Sequence, residues 1–142
     1  MNEFVTASDR DWAEVLAGFP LLAQVGKRKL RKVAQEAHFA EYAPGEAVVL
    51  TGAPADSFFV ILSGEANVVG KPGARQLELG DYFGELALLG DGTRSATVTA
   101  ASQLHVMRLP RATFERLLSE AGVAQELTNE AVARLRRAEQ TT

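Results

Sequence analysis

The sequence contains no cysteine and only two histidines, His38 and His105, among its 142 residues. The first absence removes disulfides, thiolate metal sites and cysteine nucleophiles. The two histidines stand alone and far apart, without metal-ligand spacing, so the expected roles are structural or exposed and the expected metal is none. No nucleophile–base pair stands out either, which points away from an enzyme, with catalytic residues none. Basic excess is also missing: 15 Lys and Arg face 18 Asp and Glu, for a formal charge of −3. General nucleic-acid affinity carries the opposite balance, so no nucleic-acid partner is expected. No apolar run approaches the ~20 residues needed to span a bilayer. The opening residues Met1 to Asp9 have no basic stretch followed by an apolar one, as a secretory signal would. The default expectation is therefore a cytoplasmic chain without a membrane segment.

What is present is an ordinary globular composition, 46% hydrophobic and 23% charged. A chain of this length buries roughly 70% of its unfolded surface, enough for one real core. The expectation is a single domain over residues 1–142, in three regions. Residues 8–38 read as helical. Ser8 and Asp11 resemble a capping box, Trp12, Val15, Leu16 and Phe19 share a face, and Phe19-Pro20 breaks the helix. Leu30, Val33, Ala34 and Ala37 then form the stripe of a second helix. Its cluster Lys27-Arg28-Lys29 with Arg31-Lys32 reads as a solvated face. Residues 39–109 read as β-rich, with short strands at 48–50, 58–62, 66–69, 75–79, 96–99 and 104–109 between Gly- and Pro-containing turns. Such spacing suggests a sandwich, roll or small barrel. Residues 110–139 read as helical again, with Pro110 at a first helical position. Gly122 punctuates, and Val123, Leu127, Ala131 and Leu135 then mark one face. Arg134, Arg136 and Arg137 suit the negative end of that helix dipole.

Inside the β region, Glu85-Leu86-Ala87-Leu88-Leu89 has strong helix formers and no β-branched residue. It reads as a short helical turn, and Leu86, Leu88 and Leu89 are expected in the core. The first turn of a helix carries unpartnered N–H groups and partial positive charge, where an anion sits well. Gly84 leaves the backbone open to close approach. Glu85 would accept from vicinal or ribose hydroxyls. Arg94 supplies a planar fork matched to phosphate oxygens. Gly90-Asp91-Gly92-Thr93 reads as a flexible linker that folds Arg94 back over the turn, and Ser95 could add a hydroxyl to phosphate or base. A hydrogen bond to a charged partner contributes ~1.5–3 kcal/mol, whereas micromolar binding needs about −8 kcal/mol. Arg94 alone is therefore insufficient, and the helix turn, Glu85 and an apolar base pocket must supply the rest.

Phe83-Gly84-Glu85-Leu86-Ala87-Leu88-Leu89 with Arg94-Ser95-Ala96-Thr97-Val98 resembles the phosphate-binding cassette of the cyclic nucleotide-binding domain family. That family includes catabolite activators, regulatory subunits of the cAMP-dependent kinase and cyclic-nucleotide-gated channels. The resemblance runs over about residues 10–139 and takes in Pro44-Gly45-Glu46 and Phe58 to Ala66. It implies an α+β fold: an antiparallel, jelly-roll-like β-roll with N-terminal helices, a short internal phosphate-binding helix and C-terminal lid helices. It further implies that amides around Leu86 and Ala87 hold the cyclic phosphate, that Glu85 takes the ribose 2′-hydroxyl, and that Arg94 pairs with an exocyclic phosphate oxygen. Ser95 stands where threonine favours cGMP; serine suits cAMP and discriminates weakly. The final helix would cover the base through Arg134 or Leu135, with Val68 and Tyr82 lining the base or sugar wall.

The resulting expectation is a non-catalytic regulatory module that binds a 3′,5′-cyclic nucleotide, cAMP ahead of cGMP, with no further cofactor. Movement of its C-terminal helix would reach a protein effector or a fused effector domain. The alternative is a ligand-independent interaction module that retains the fold. A metal-dependent cupin-like enzyme lacks its ligands in this sequence. Activators of the family carry a helix-turn-helix after the lid helix, for which these residues leave no room, so a stand-alone sensor or a domain of a longer protein is expected.

Overall fold

The computed structural model describes residues 12–70 and 73–140. The Ser8–Asp11 pair lies outside these residues. At the N-terminal side, α1 (Trp12–Ala17) is followed by a 3-10 turn (Pro20–Leu22) and α2 (Lys27–Glu36). Pro20 disfavours helical geometry at the residue before it. Phe19 accordingly sits at φ −88° and ψ 134°, which ends α1 and starts the turn. Leu30 and Val33 of α2 are buried, while Lys27, Arg28, Lys29, Arg31 and Lys32 face solvent.

Eight strands follow: β1 (His38–Tyr42), β2 (Ala47–Val49), β3 (Ser57–Ser63), β4 (Ala66–Gly70), β5 (Arg75–Leu77), β6 (Tyr82–Phe83), β7 (Ala96–Ala100) and β8 (Leu104–Pro110). They form two four-stranded sheets, ordered β1-β8-β3-β6 and β2-β7-β4-β5, with every pair antiparallel. This is an antiparallel β-roll of the α+β class with flanking helices. β1 and β6 are additions to the strands read from the sequence. β5 stops at Leu77, where the Glu78 N–H donates to Asp81 Oδ2 at 2.8 Å and closes a turn.

The first sheet is covered on both faces. Alternate residues of β3 enter different cores: Phe58, Val60 and Leu62 pack against the helices, whereas Phe59 and Ile61 pack between the sheets. β8 alternates likewise, with Met107 and Leu109 on the helical side and Leu104 and Val106 inside the roll. Two covered faces explain why Phe58 to Leu62 is an unbroken apolar run. On the helical side Phe58 lies 4.7 Å from the Phe114 ring and 5.6 Å from that of Tyr82. Inside the roll Phe59 and Phe83 stack at 4.8 Å. His105 is buried and structural: its Nδ1 meets Ser63 Oγ at 2.8 Å and its Nε2 meets Glu41 Oε1 at 3.0 Å, tying β1, β3 and β8 together.

α4 (Arg111–Leu118) and α5 (Ala121–Gln140) close the chain. Pro110 is not a first helical position; it ends β8 at ψ 157°, and α4 begins one residue later. Ser119 and Glu120 make the break between the two helices, and Gly122 falls inside the first turn of α5. Glycine fits there because a Cβ would meet Gln24 Oε1 at 2.7 Å.

Candidate ligand-binding site

Between β6 and β7 the chain leaves the sheets and forms α3 (Glu85–Leu89), as the sequence indicates. Gly84 precedes it at φ +96°, a left-handed conformation that favours glycine. Space makes the same demand. A Cβ on Gly84 would lie 2.7 Å from Arg94 Nη1 and 3.2 Å from the Ser57 carbonyl oxygen. Gly84 thus makes room for the guanidinium of Arg94.

α3 is only partly covered. Glu85 and Ala87 are buried, at 4% and 3% exposure. Leu86 and Leu89 are not core residues as expected; they are 40% and 54% exposed. Leu88 packs partly buried against the helical core.

The segment carrying Arg94 is pinned rather than flexible. Gly92 N–H donates to Ala87 O at 2.9 Å, and Thr93 N–H to Asp91 Oδ1 at 2.9 Å. Arg94 N–H donates to Ala53 O at 2.9 Å and its carbonyl accepts from Gly52 N–H at 2.8 Å, so the stretch is laced to the 52–55 loop. The side chain is only 6% exposed. Its Nη2 donates to Ser57 O at 3.0 Å and its Nη1 to Gly84 O at 3.4 Å. The guanidinium also sits 5.5 Å from the centroid of the Phe59 ring. Burial lowers its pKa from the ordinary arginine value, opposed by the negative charges of Asp56 and Glu85.

These residues meet in one cleft between the sheets' open end and α3. Gly84, Glu85, Leu86, Ala87, Arg94 and Ser95 line it, with Val68 on the wall beside them. Phe83, Val49, Ala96 and Val98 complete its apolar side, and Arg75 reaches it from β5. Tyr82 does not line this cleft. Adjacent strand residues point to opposite faces, and Tyr82 packs into the helical core while Phe83 enters the roll. The side chains of Arg134 and Leu135 lie outside the described residues. Sequence reading missed Ser57, whose carbonyl fixes Arg94, and Arg75, which reaches the cleft only through the pairing of β5 with β4. Among the described residues no group of three His, Cys, Asp or Glu is placed to hold a metal, and no helix is long and apolar enough to cross a membrane.

The architecture is therefore a β-roll with a small cleft, part apolar and part charged, built around a short helix and a buried arginine. Comparison gives that class its family. The profile of the cyclic nucleotide-binding domain matches residues 39–121, and the chain belongs to that family. A cAMP-dependent protein kinase regulatory subunit from Colletotrichum orbiculare is 35% identical over 112 residues, covering 77% of this chain and 29% of the relative. The solved cAMP-bound PfPKA-R superposes with a TM-score of 0.83 at 26% identity, covering 94% of this chain and 48% of the other. A regulatory subunit of a cAMP-independent protein kinase A from Trypanosoma cruzi, solved with guanosine, gives a TM-score of 0.75 at 26% identity, covering 87% and 47%. The chain thus spans less than a third of the curated relative's length and about half of each solved chain.

Proposed function

We propose that this chain is a non-catalytic regulatory module that binds a 3′,5′-cyclic nucleotide, cAMP ahead of cGMP, in the cleft beside α3. The observation that carries the reading is the convergence of Glu85 and Arg94, both buried, on one cleft in a member of the cyclic nucleotide-binding family. Backbone amides of Leu86 and Ala87 hold the cyclic phosphate, and Arg94 donates to an exocyclic oxygen. Glu85 accepts from the ribose 2′-hydroxyl. Ser95 adds a donor beside the phosphate or base, and Val68 with the neighbouring apolar wall packs against sugar and base. Binding shifts α5, whose residues Arg134 and Leu135 supply the cover over the base, and the shift is read by an effector that is separate or fused. Coupling of this kind is on the order of 1–3 kcal/mol.

Calorimetric titration of the folded chain with cAMP and with cGMP tests the reading. The expected result is saturable heat with cAMP at micromolar concentration and a modest preference over cGMP. No heat with either nucleotide at high micromolar concentration overturns it. That outcome favours the ligand-independent interaction module that retains the fold.

A further inference from the structure

We propose that Arg75 is a positioning residue of the cleft, shared between the bound nucleotide and helix α5, so that the ligand and two carboxylates of α5 compete for one guanidinium. The inference rests on the cyclic-nucleotide reading above.

Arg75 opens β5 directly opposite Val68 of β4. Residues directly opposite in an antiparallel pair project to the same face. That face is the inner one, since Val68 and, two residues along β5, Leu77 belong to the core between the sheets. β5 is the edge strand of its sheet, so the long side chain of Arg75 stands at the rim of the roll and is half-buried. From there it lines the nucleotide cleft together with Val68, Glu85 and Arg94.

The same side chain lines a neighbouring cavity whose far wall is α5. Glu126 and Glu130 face that cavity, and its floor includes Leu21 and Tyr82 of the helical core. Glu126 and Glu130 are four residues apart on a helix, hence one above the other on a single face. Both are partly buried, in a setting where charges act more strongly on one another than in bulk water. Arg75 therefore stands between an anionic pair on α5 and the place where a phosphodiester would arrive. Arg94 is tied to the carbonyls of Ser57 and Gly84 by two hydrogen bonds, whereas Arg75 is the cation of the cleft that also lines the cavity facing α5. A guanidinium drawn toward the nucleotide is withdrawn from the cavity that Glu126 and Glu130 face, and α5 loosens. By reciprocity, removing those carboxylates strengthens ligand binding by the same factor.

The test is a double-mutant cycle read by calorimetric titration with cAMP, with thermal unfolding of each variant recorded alongside. Arg75→Gln, which keeps an aliphatic stem, is expected to weaken cAMP binding about fivefold or more, and the pair Glu126→Gln with Glu130→Gln to tighten it by about fivefold. In the Arg75→Gln background the two glutamine changes are expected to shift affinity by less than about twofold, because the shared group is gone. A merely structural role for Arg75 moves stability and weakens binding in every background, and it produces no tightening. Unchanged affinity in Arg75→Gln overturns the proposal. So does tightening that persists undiminished without Arg75, which assigns the effect to the long-range field of the carboxylates. Wild-type binding with either of these results sinks this inference alone, whereas a wild-type chain that takes up neither cAMP nor cGMP overturns the functional reading and this inference with it.

Discussion

Replacing Gly84 by alanine separates two demands that the structure places on one residue. The first is conformational: at φ +96° an L side chain is strained, at a cost of roughly 1–2 kcal/mol. The second is spatial, since the new Cβ would lie 2.7 Å from Arg94 Nη1 and 3.2 Å from Ser57 O. The guanidinium must move, and the carbonyls it serves lose good geometry, which costs about 1–3 kcal/mol for a buried acceptor left unmade. Gly92 supplies the control. It has a similar φ of +83°, yet a Cβ there would meet nothing within 4 Å. Gly92→Ala is therefore expected to lose only the strain, about 1–2 kcal/mol. Gly84→Ala is expected to lose about 2–5 kcal/mol, the sum of the two effects. Urea unfolding at constant m-value measures both. Titration with cAMP reads the functional half: Gly84→Ala weakens binding about tenfold or more, equivalent to 1.4 kcal/mol, while Gly92→Ala stays near the parent. In an Arg94→Ala background the collision with the guanidinium disappears, and the stability penalty of Gly84→Ala falls toward that of Gly92→Ala. Equal stability losses for the two alanines, together with parental affinity in Gly84→Ala, would refute the claim that Gly84 makes room for Arg94.

Glu85→Ala is expected to weaken cAMP binding by about tenfold or more, the value of a hydrogen bond to a charged group, and to change binding of the 2′-deoxy analogue far less; equal losses for the two ligands contradict the ribose assignment. Phe58→Ala removes a fully buried ring packed on Phe114 and Tyr82, and is expected to cost about 3–5 kcal/mol in urea unfolding. Because Phe58 faces the helices and not the cleft, the folded variant should keep its affinity for cAMP, and a large loss of affinity without loss of stability would contradict that placement.

The parts of the site that the sequence discloses are the contiguous ones. Gly84, Glu85, Ala87, Arg94 and Ser95 lie within a dozen residues, and helix formers between two glycines mark α3 without any knowledge of the sheets. The misplaced residues share a different cause. Tyr82 and Phe83 are adjacent aromatics on a two-residue strand whose sheet is covered on both faces. Alternation carries no information there, because both parities are apolar. Leu86 and Leu89 mislead in the opposite way. Hydropathy ranks them above Glu85, yet in α3 it is the acid that is buried and these two leucines that are exposed. Ser57 and Arg75 have no local signal at all. One acts through a carbonyl oxygen, and the other reaches the cleft only because β5 pairs with β4 in a particular register. Similarly, Gly90 to Thr93 has the composition of a loose linker, and its rigidity comes from hydrogen bonds to the distant 52–55 loop.

Arg94 also bears on which kind of ligand the cleft suits. Its direct acceptors are two backbone carbonyls, and the carboxylates of Asp56 and Glu85 act on it without any bond to either being among its hydrogen bonds to Ser57 and Gly84. Removing a cation from water is costly unless charge or hydrogen bonds compensate it, and the lowered pKa of Arg94 shows burial prevailing over its neighbours. An anion arriving in the cleft offsets that cost, and a neutral nucleoside does not. The fold neighbour from Trypanosoma cruzi was solved with a neutral nucleoside, guanosine. On the proposed reading, the buried guanidinium of Arg94 makes a ligand that carries a phosphate a better match than a neutral one.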